Sequence, residues 1–126
     1  MDQVQAEVDL AALQKIIEQL QLVLPGVRSV LITRSDGLPL VKTVGQADVT
    51  KVAAMTATAV SLNKRIMSTV NAGDLTETSI SGSQGQVLLY AAGPAVLALS
   101  ADSKANVAMI NLKARRAARA IADALA

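Results

Sequence analysis

Carboxylates could in principle supply an acid and a base in this sequence, which contains neither histidine nor cysteine. Without imidazole or thiolate groups there is no Ser-His or Cys-His nucleophile pair and no imidazole or thiolate ligand for a metal. Two pairs of acids are candidates for a general acid and base: Asp74 with Glu77, and Asp36 with Asp102. Structural roles explain them better, since Asp36 lies in a turn, Asp102 precedes a helix and Asp74 follows a glycine at a strand entrance. We therefore predict that the protein is not an enzyme and uses neither a metal nor a cofactor.

Phosphate and nucleic-acid binding are also disfavoured. The seven glycines do not form a dinucleotide-binding or P-loop fingerprint, and the nearest approach, Gly82 to Gly85, has neither a following lysine nor a helix. The net charge is only +2, and Tyr90 is the one aromatic residue available for base stacking. The sequence therefore predicts no nucleic-acid partner.

The composition predicts one compact domain over residues 1–126, with residues 1–8 as an N-terminal extension. Its 52% hydrophobic content is aliphatic, which disfavours an aromatic-lined ligand pocket. The segment Met1–Val8 carries Asp2 and Glu7 and does not resemble a secretory signal. The longest uncharged segment, Thr78–Ala101, is interrupted by glycines and a proline, so we predict no membrane insertion and a cytoplasmic location.

Hydrophobic spacing predicts three helices and about five strands. The first helix should begin after Asp9 as N-cap and end before Pro25-Gly26. Its apolar stripe consists of Leu10, Leu13, Ile17, Leu20 and Leu24. Val27–Arg34 is apolar at consecutive positions, which predicts an inner strand, whereas Pro39 places the strand Leu38–Val44 at a sheet edge.

The second half of the chain predicts three further strands and a last helix. Leu75–Ser81 is polar and should form an exposed edge strand, while Gln86–Ala92 and Ala95–Ser100 should be inner strands. Asp102 and Ser103 are expected to open the last helix. Its core stripe consists of Val107, Ile110, Ala114, Ala117, Ile121 and Leu125.

The central helix, from Asp48 to about Val70, carries no charge between Val52 and Asn63 and has two apolar stripes. The first consists of Val52, Met55, Ala59, Leu62 and Ile66, and the second of Ala53, Ala57, Val60 and Met67. One sheet can bury only one stripe, so we predict that the first faces the sheet and the second faces another copy of the chain. The alternative is that the first or third helix covers the second stripe.

Positive charges gather on the last helix, at Lys113, Arg115, Arg116 and Arg119. A solvated surface near a helix C-terminus accounts for most of them. Leu112, however, lies almost opposite the core stripe and next to Arg116 on the outer surface, which indicates a partner-binding site.

The element order resembles that of the roadblock/LC7 domain family from about Asp9 to Leu125. Local motifs support the resemblance, in particular Pro25-Gly26-Val27, the hairpin Ser35-Asp36-Gly37-Leu38-Pro39-Leu40, and Lys104-Ala105-Asn106-Val107. The resemblance implies a three-layer α/β/α sandwich with a five-stranded, mostly antiparallel sheet. The long central helix would cover one face of the sheet and the other two helices the opposite face.

The same resemblance implies a homodimer in which two long helices pair antiparallel and two third strands join into one sheet. The dimer contact would then comprise Val52, Ala53, Thr56, Ala57, Val60, Lys64, Met67, Leu75, Glu77 and Ser79. It also implies an adaptor or regulator of a small Ras-like GTPase, in cell polarity or motility. The partner-binding residues would be Ala54, Thr58, Ser61 and Arg65, with Leu112 and Arg116 as a second candidate group. Two alternatives remain, a scaffold subunit without a GTPase partner and a small-molecule sensor.

Overall fold

The computed structural model of the chain describes residues 2–43 and 48–126, and side chains from residue 10 onward within those ranges. The described residues form three helices and five strands in the predicted order. They are α1 (Asp2–Val23), β1 (Val27–Arg34), β2 (Pro39–Lys42), α2 (Val49–Thr69), β3 (Glu77–Ser81), β4 (Gln86–Ala92), β5 (Ala95–Ala101) and α3 (Val107–Leu125). No helix in these ranges is long and apolar enough to cross a membrane.

The five strands form one sheet in the order β2-β1-β5-β4-β3, and every neighbouring pair is antiparallel. Both edge predictions are confirmed, because β2, which begins at Pro39, lies at one edge and the polar β3 lies at the other. The apolar strands β1, β4 and β5 are the inner ones. The predicted residue Val44 of the second strand lies outside the described residues.

Helices cover both faces of the sheet, which confirms the three-layer sandwich. Alternation along β4 separates the two layers: Leu88 and Tyr90 pack in the core beneath α1 and α3, whereas Leu89 packs in the core beneath α2. Of the predicted first stripe, Leu13, Ile17 and Leu20 in α1 and Leu24 just after it are buried as predicted, whereas Leu10 is exposed. The sheet is therefore covered by different helices on its two faces, and α2 is the only described helix on its own face.

The first helix begins earlier than predicted. It starts at Asp2, so Asp9 lies inside the helix and residues 2–8 belong to it. Gln3, Gln5, Ala6 and Glu7 are good helix formers, so the sequence favours continuing the helix before Asp9. The predicted end is confirmed, since the helix stops at Val23, before Pro25-Gly26.

The last helix begins later than predicted, whereas α2 begins where expected. Asp102 remains attached to the sheet, because its backbone N–H donates to Gly26 O at 2.8 Å. The N-cap of α3 is instead Asn106, whose side-chain oxygen accepts from the backbone N–H of Met109 at 3.1 Å. Asp48 caps α2 as predicted, by accepting from the backbone N–H of Lys51 at 3.2 Å.

The side of α2 that packs on the sheet is not the one predicted: it centres on Ala53 and Val60 of the second stripe, and of the first stripe only Val52 and Ala59 pack beside them. Ala53, Thr56 and Val60 are buried against the sheet. Met55, Leu62 and Ile66, which were expected to face the sheet, are 62%, 55% and 51% exposed. The physical reason is shape: the large residues of this core layer, Leu31, Leu89 and Val96, come from the strands, so small helix residues fit against them. The larger apolar side chains of α2 are left facing outward.

Candidate protein-interaction surfaces

An apolar surface extends from the outer stripe of α2 onto the uncovered end of the sheet. We define the α2–β3 surface as Met55, Leu62, Ile66, Ile80 and Val87, all of them exposed. Ile80 and Val87 are register partners on β3 and β4, and they share the sheet face of Leu89, which packs beneath α2. Exposed apolar side chains gathered on one side of a protein in this way are typical of a protein-binding site.

The edge strand β3 borders this surface. Its described neighbour is β4 on one side, and its other side faces no strand among the described residues. Strand edges present unpaired N–H and C=O groups that can pair with another strand. A side-chain bond holds the strand next to α2, because Asn63 Nδ2 donates to Thr78 Oγ1 at 2.8 Å. The apolar patch and the free strand edge thus lie together.

Three residues of the predicted dimer contact offer little surface to a second copy, because Ala53, Thr56 and Val60 are buried within their own chain. Of the rest, Val52, Ala57, Met67 and Leu75 are half-buried, Lys64 and Ser79 are exposed, and half-buried Glu77 binds Arg115. The prediction missed Met55, Leu62, Ile66, Ile80 and Val87 as contact candidates. Their size was the signal that the sequence offered. When a helix packs closely on large strand residues, its small side chains face the strands and its bulkier stripe remains on the surface.

The predicted GTPase-facing residues of α2 lie together on its other flank, beside the β1–β2 turn. Ala54, Thr58, Ser61 and Arg65 are exposed and, with Ser35, Asp36, Ala57 and Leu62, line a shallow hollow of about 540 Å³, the hairpin hollow. The turn approaches the helix closely at Gly37, where an added Cβ would lie 3.5 Å from the Cα of Ala54. Asp36 shapes the turn by accepting from the backbone N–H of Leu38 at 3.2 Å.

Leu112 and Arg116 lie on a different surface from the hairpin hollow. Both are exposed on α3, which covers the sheet face opposite to α2. The six predicted partner-binding residues therefore form two separate groups, and one compact partner cannot contact both.

Three of the four carboxylates that were considered for acid–base chemistry make structural ion pairs, and exposed Asp74 takes part in none among the described residues. Asp36 Oδ2 lies 3.2 Å from Arg34 Nη2, and Asp102 Oδ1 lies 2.7 Å from Arg28 Nε. The hydrogen bond from Arg115 lowers the pKa of the Glu77 carboxyl below its ordinary value. The described residues contain no cluster of acidic side chains that could hold a metal ion. The three paired positions thus serve to connect elements of the fold.

A second hollow bears on the small-molecule alternative. It has a volume of about 650 Å³ and lies beside the hairpin on the α1 side of the sheet. Leu10, Leu13, Leu38, Leu40 and Leu125 line most of it, with Arg34 and Asp36 among its few polar residues. Ligand pockets usually place several polar groups around a largely enclosed cavity. This hollow is partly open and has few such groups, so it gives little support to the sensor alternative. The exposed apolar surfaces support protein binding more strongly.

Comparison with known proteins identifies relatives of this chain in both sequence and structure. The Roadblock/LC7 domain profile matches residues 13–101. The uncharacterised protein MJ1340 of Methanocaldococcus jannaschii is 30% identical over 97 residues, which cover 76% of this chain and 85% of that protein. A Roadblock/LC7 domain from Streptomyces avermitilis has a TM-score of 0.83 at 18% identity, covering 89% of this chain and 96% of that one. The gliding protein MglB from Thermus thermophilus also has a TM-score of 0.83, at 17% identity, covering 92% of this chain and 90% of that one. By its sequence, and with the sheet order and layers described above, the chain belongs to the Roadblock/LC7 domain family.

Proposed function

We propose that the protein is a non-enzymatic homodimeric adaptor of the cytoplasm that binds and regulates a small Ras-like GTPase. The observation that carries this proposal is the α2–β3 surface, which leaves the largest apolar side chains of the central helix outside the chain's own core. An adaptor needs surfaces rather than a catalytic group, and the exposed positions of α2 provide two adjacent ones.

A second copy of the chain is the simplest cover for the α2–β3 surface. A two-fold axis beside β3 would pair this edge strand with its copy and place the outer stripes of both α2 helices against each other. Each fully buried Leu, Ile or Met side chain would contribute about 1.5–3 kcal/mol. An MglB solved with a tetrameric arrangement, at a TM-score of 0.84 and 18% identity, supports self-association in this fold.

The GTPase is assigned to the hairpin hollow. Apart from Leu62, which it shares with the α2–β3 surface, the hollow lies on the flank of α2 away from β3, so most of it stays open when the α2–β3 surface is covered. Thr58 and Ser61 offer hydroxyl groups, and Arg65 and Asp36 offer charges of both signs. In a dimer the two hollows would flank the paired helices and form one composite face. Regulation would follow from which nucleotide state of the GTPase this face binds, without a catalytic side chain from the adaptor.

The decisive experiment mixes the protein with the Ras-like GTPases of its source organism, each loaded with GDP or with a non-hydrolysable GTP analogue, and measures binding by calorimetry. We expect the affinity to differ between the two nucleotide states. We also expect Thr58→Arg to weaken binding by at least about tenfold. Arg119→Glu, an exposed change on the opposite face, is the matched control and should bind normally. Absence of binding in both states would refute the GTPase assignment and leave the scaffold alternative.

A further inference from the structure

A second groove lies on the outer surface between α1 and α3, on the face of the molecule opposite to α2. The two helices run antiparallel: Gly26, just after α1, approaches Ala105, just before α3, while Leu10 and Leu125 line a common hollow at the other end. The outer groove between them has a volume of about 380 Å³. We define the α1–α3 groove by its apolar residues Ile16, Leu20, Val23 and Ala117 and by its two cations, Lys113 and Arg116.

Apolar side chains continue from the groove onto its α3 border. Leu112 is 53% exposed and Met109 is 41% exposed. Leu112 precedes Arg116 by one helical turn, so the two lie in one row on the surface of α3. On α1, Val23 is also exposed at the corresponding end of the groove. The groove therefore combines an apolar floor with an apolar border that the chain itself leaves uncovered.

The charge of the groove is positive and is not balanced by the acids around it. Within the described part of the chain, neither Lys113 nor Arg116 takes part in an ion pair, whereas their neighbour Arg115 binds Glu77. Asp123 follows Arg116 by seven residues, which is about 10 Å along the helix. Glu18 lies on the other flank of α1, where its carboxylate accepts from Gln14 Nε2 at 3.0 Å.

We infer that the α1–α3 groove binds an acidic amphipathic helix from a partner protein. A groove between two helices accepts a third helix through anchors at i, i+3 or i+4, and i+7, which would fill the apolar floor. Acidic residues beside that stripe would pair with Lys113 and Arg116. The concave shape and the restriction of charge to one border favour a helix over an anionic membrane, which suits a convex surface with cations on all sides.

This surface goes beyond the proposed GTPase regulation. The hairpin hollow and the α2–β3 surface lie on the other face of the sheet, so both can be occupied while the groove binds a different protein. Occupation of the two faces would connect a GTPase to a second protein.

The test uses the full chain and a synthetic 18-residue peptide as probe, with leucine at heptad a and d positions, glutamate beside them and alanine elsewhere. Fluorescence anisotropy measures its affinity, and NMR amide shifts locate its site. We expect shifts in Ile16–Val23 and Met109–Ala117, and an affinity that falls by at least about tenfold in Arg116→Glu or Leu112→Ser. Arg119→Glu makes the same charge change on the same helix outside the groove and should bind within about twofold of the unmodified chain.

Several outcomes would overturn the inference. One is equal binding of a peptide in which lysine replaces glutamate; another is shifts confined to α2; a third is no binding of the acidic peptide. In a separate experiment, binding to vesicles of phosphatidylglycerol and phosphatidylcholine is measured. If the chain binds these vesicles but not the peptide, and Arg116→Glu abolishes the vesicle binding, the groove would be assigned to a membrane surface instead. GTPase binding by the Arg116→Glu variant is measured in parallel, because its retention shows that failure at the groove leaves the proposed function intact.

Discussion

Arg115 on α3 holds Glu77 on the edge strand β3 through two hydrogen bonds, Nε to Oε2 at 2.8 Å and Nη2 to Oε1. Glu77 is also the register partner of Tyr90 on β4. Buried Tyr90 donates its hydroxyl to Asn111 Oδ1 on α3. Two polar links therefore join α3 to neighbouring strands at the end of the sheet where a second copy is proposed to pair. These links hold β3 in place from the face opposite to α2.

Replacing Glu77 with glutamine should lower stability at neutral pH and have little effect in acid. The hydrogen bond from Arg115 keeps the pKa of the Glu77 carboxyl below its ordinary value of 4.5. Since the folded pKa is depressed, the contribution is complete above pH 4.5 and is lost as the pH falls through the lowered pKa. Urea unfolding of the unmodified chain and Glu77→Gln, compared at pH 7 and at about pH 3, measures this difference.

The matched control for this prediction is Asp36→Asn. It removes the carboxylate from the exposed pair with Arg34 but keeps the side-chain oxygen that accepts from Leu38. We expect Asp36→Asn to change the midpoint of urea unfolding at neutral pH much less than Glu77→Gln does. An equal loss in the two variants would mean that the bidentate contact to Arg115 has no special role.

Tyr90 should resist ionisation until the pH is far above the usual range for tyrosine. Burial raises the pKa of Tyr90 from 10.0 to about 12, and the nearby Glu77 charge adds to the increase. Because the folded pKa is raised, this contribution to stability is complete below pH 10 and is lost as the pH rises toward 12. Tyr90 is the only aromatic residue, so ultraviolet absorbance of tyrosinate reports it alone.

Removal of the hydroxyl tests the same site by another route. Tyr90→Phe should lower stability by about 1 kcal/mol, because half-buried Asn111 loses its hydrogen bond. A normal tyrosine titration in the folded chain would contradict the buried placement of Tyr90.

The outer stripe of α2 should control association without controlling folding. Leu62→Glu should raise the dimer dissociation constant by at least about a hundredfold, because two apolar side chains leave the two-fold contact. Light scattering measures the mass, and circular dichroism should show an intact fold. Leu22→Glu is the control, since Leu22 is even more exposed but lies on α1, and it should remain dimeric.

Val60 lies on the opposite side of the same helix. Val60→Glu should unfold the chain, because it buries a charge beneath α2. If Leu62→Glu unfolded the chain and Val60→Glu only dissociated it, the originally predicted stripe roles would be restored. An unmodified chain that is monomeric at micromolar concentration would refute the dimer.

Two glycines with nearly equal positive φ angles should respond differently to alanine. Gly26 and Gly73 have φ angles of +87° and +86°, where alanine costs about 1–2 kcal/mol. At Gly26 the added Cβ would also lie 3.0 Å from the Cβ of Ala105, whereas nothing lies within 4 Å at Gly73. Gly26→Ala should therefore be the more destabilising change in thermal unfolding. Equal losses would show that the contact between the ends of α1 and α3 can relax.

Several features of the fold follow from local chemistry and are readable in the sequence. The spacing of Leu13, Ile17 and Leu20 determined the buried side of α1, and Pro39 placed β2 at an edge because proline cannot donate to a strand on both sides. Asp48 was recognisable as an N-cap from its position before an apolar periodic segment. The element order, together with the turn and motif residues, also identified the family.

Two helix starts were predicted at the wrong residue, because each has a plausible capping residue that does not act as the N-cap. Asp9 and Asp102 are both good capping residues, but the residues before Asp9 favour helix, and a backbone hydrogen bond to Gly26 keeps Asp102 at the end of the sheet. The second of these is a tertiary contact between segments far apart in the sequence. Periodicity contains no information about it.

The sequence by itself determined that the central helix, which carries no charge between Val52 and Asn63, has two apolar sides and one sheet to cover. Only the tertiary structure decided which side the sheet takes, because that depends on the volume supplied by the strands beneath. Leu31, Leu89 and Val96 fill that layer, so Ala53 and Thr56 fit against it and Leu62 and Ile66 do not. By hydrophobicity alone, Leu62 and Ile66 would be buried in preference to Ala53 and Thr56. Close packing instead favours the side chains whose size fits the space above the strands. The larger stripe is thereby left on the surface, where it forms the proposed contact with a second copy.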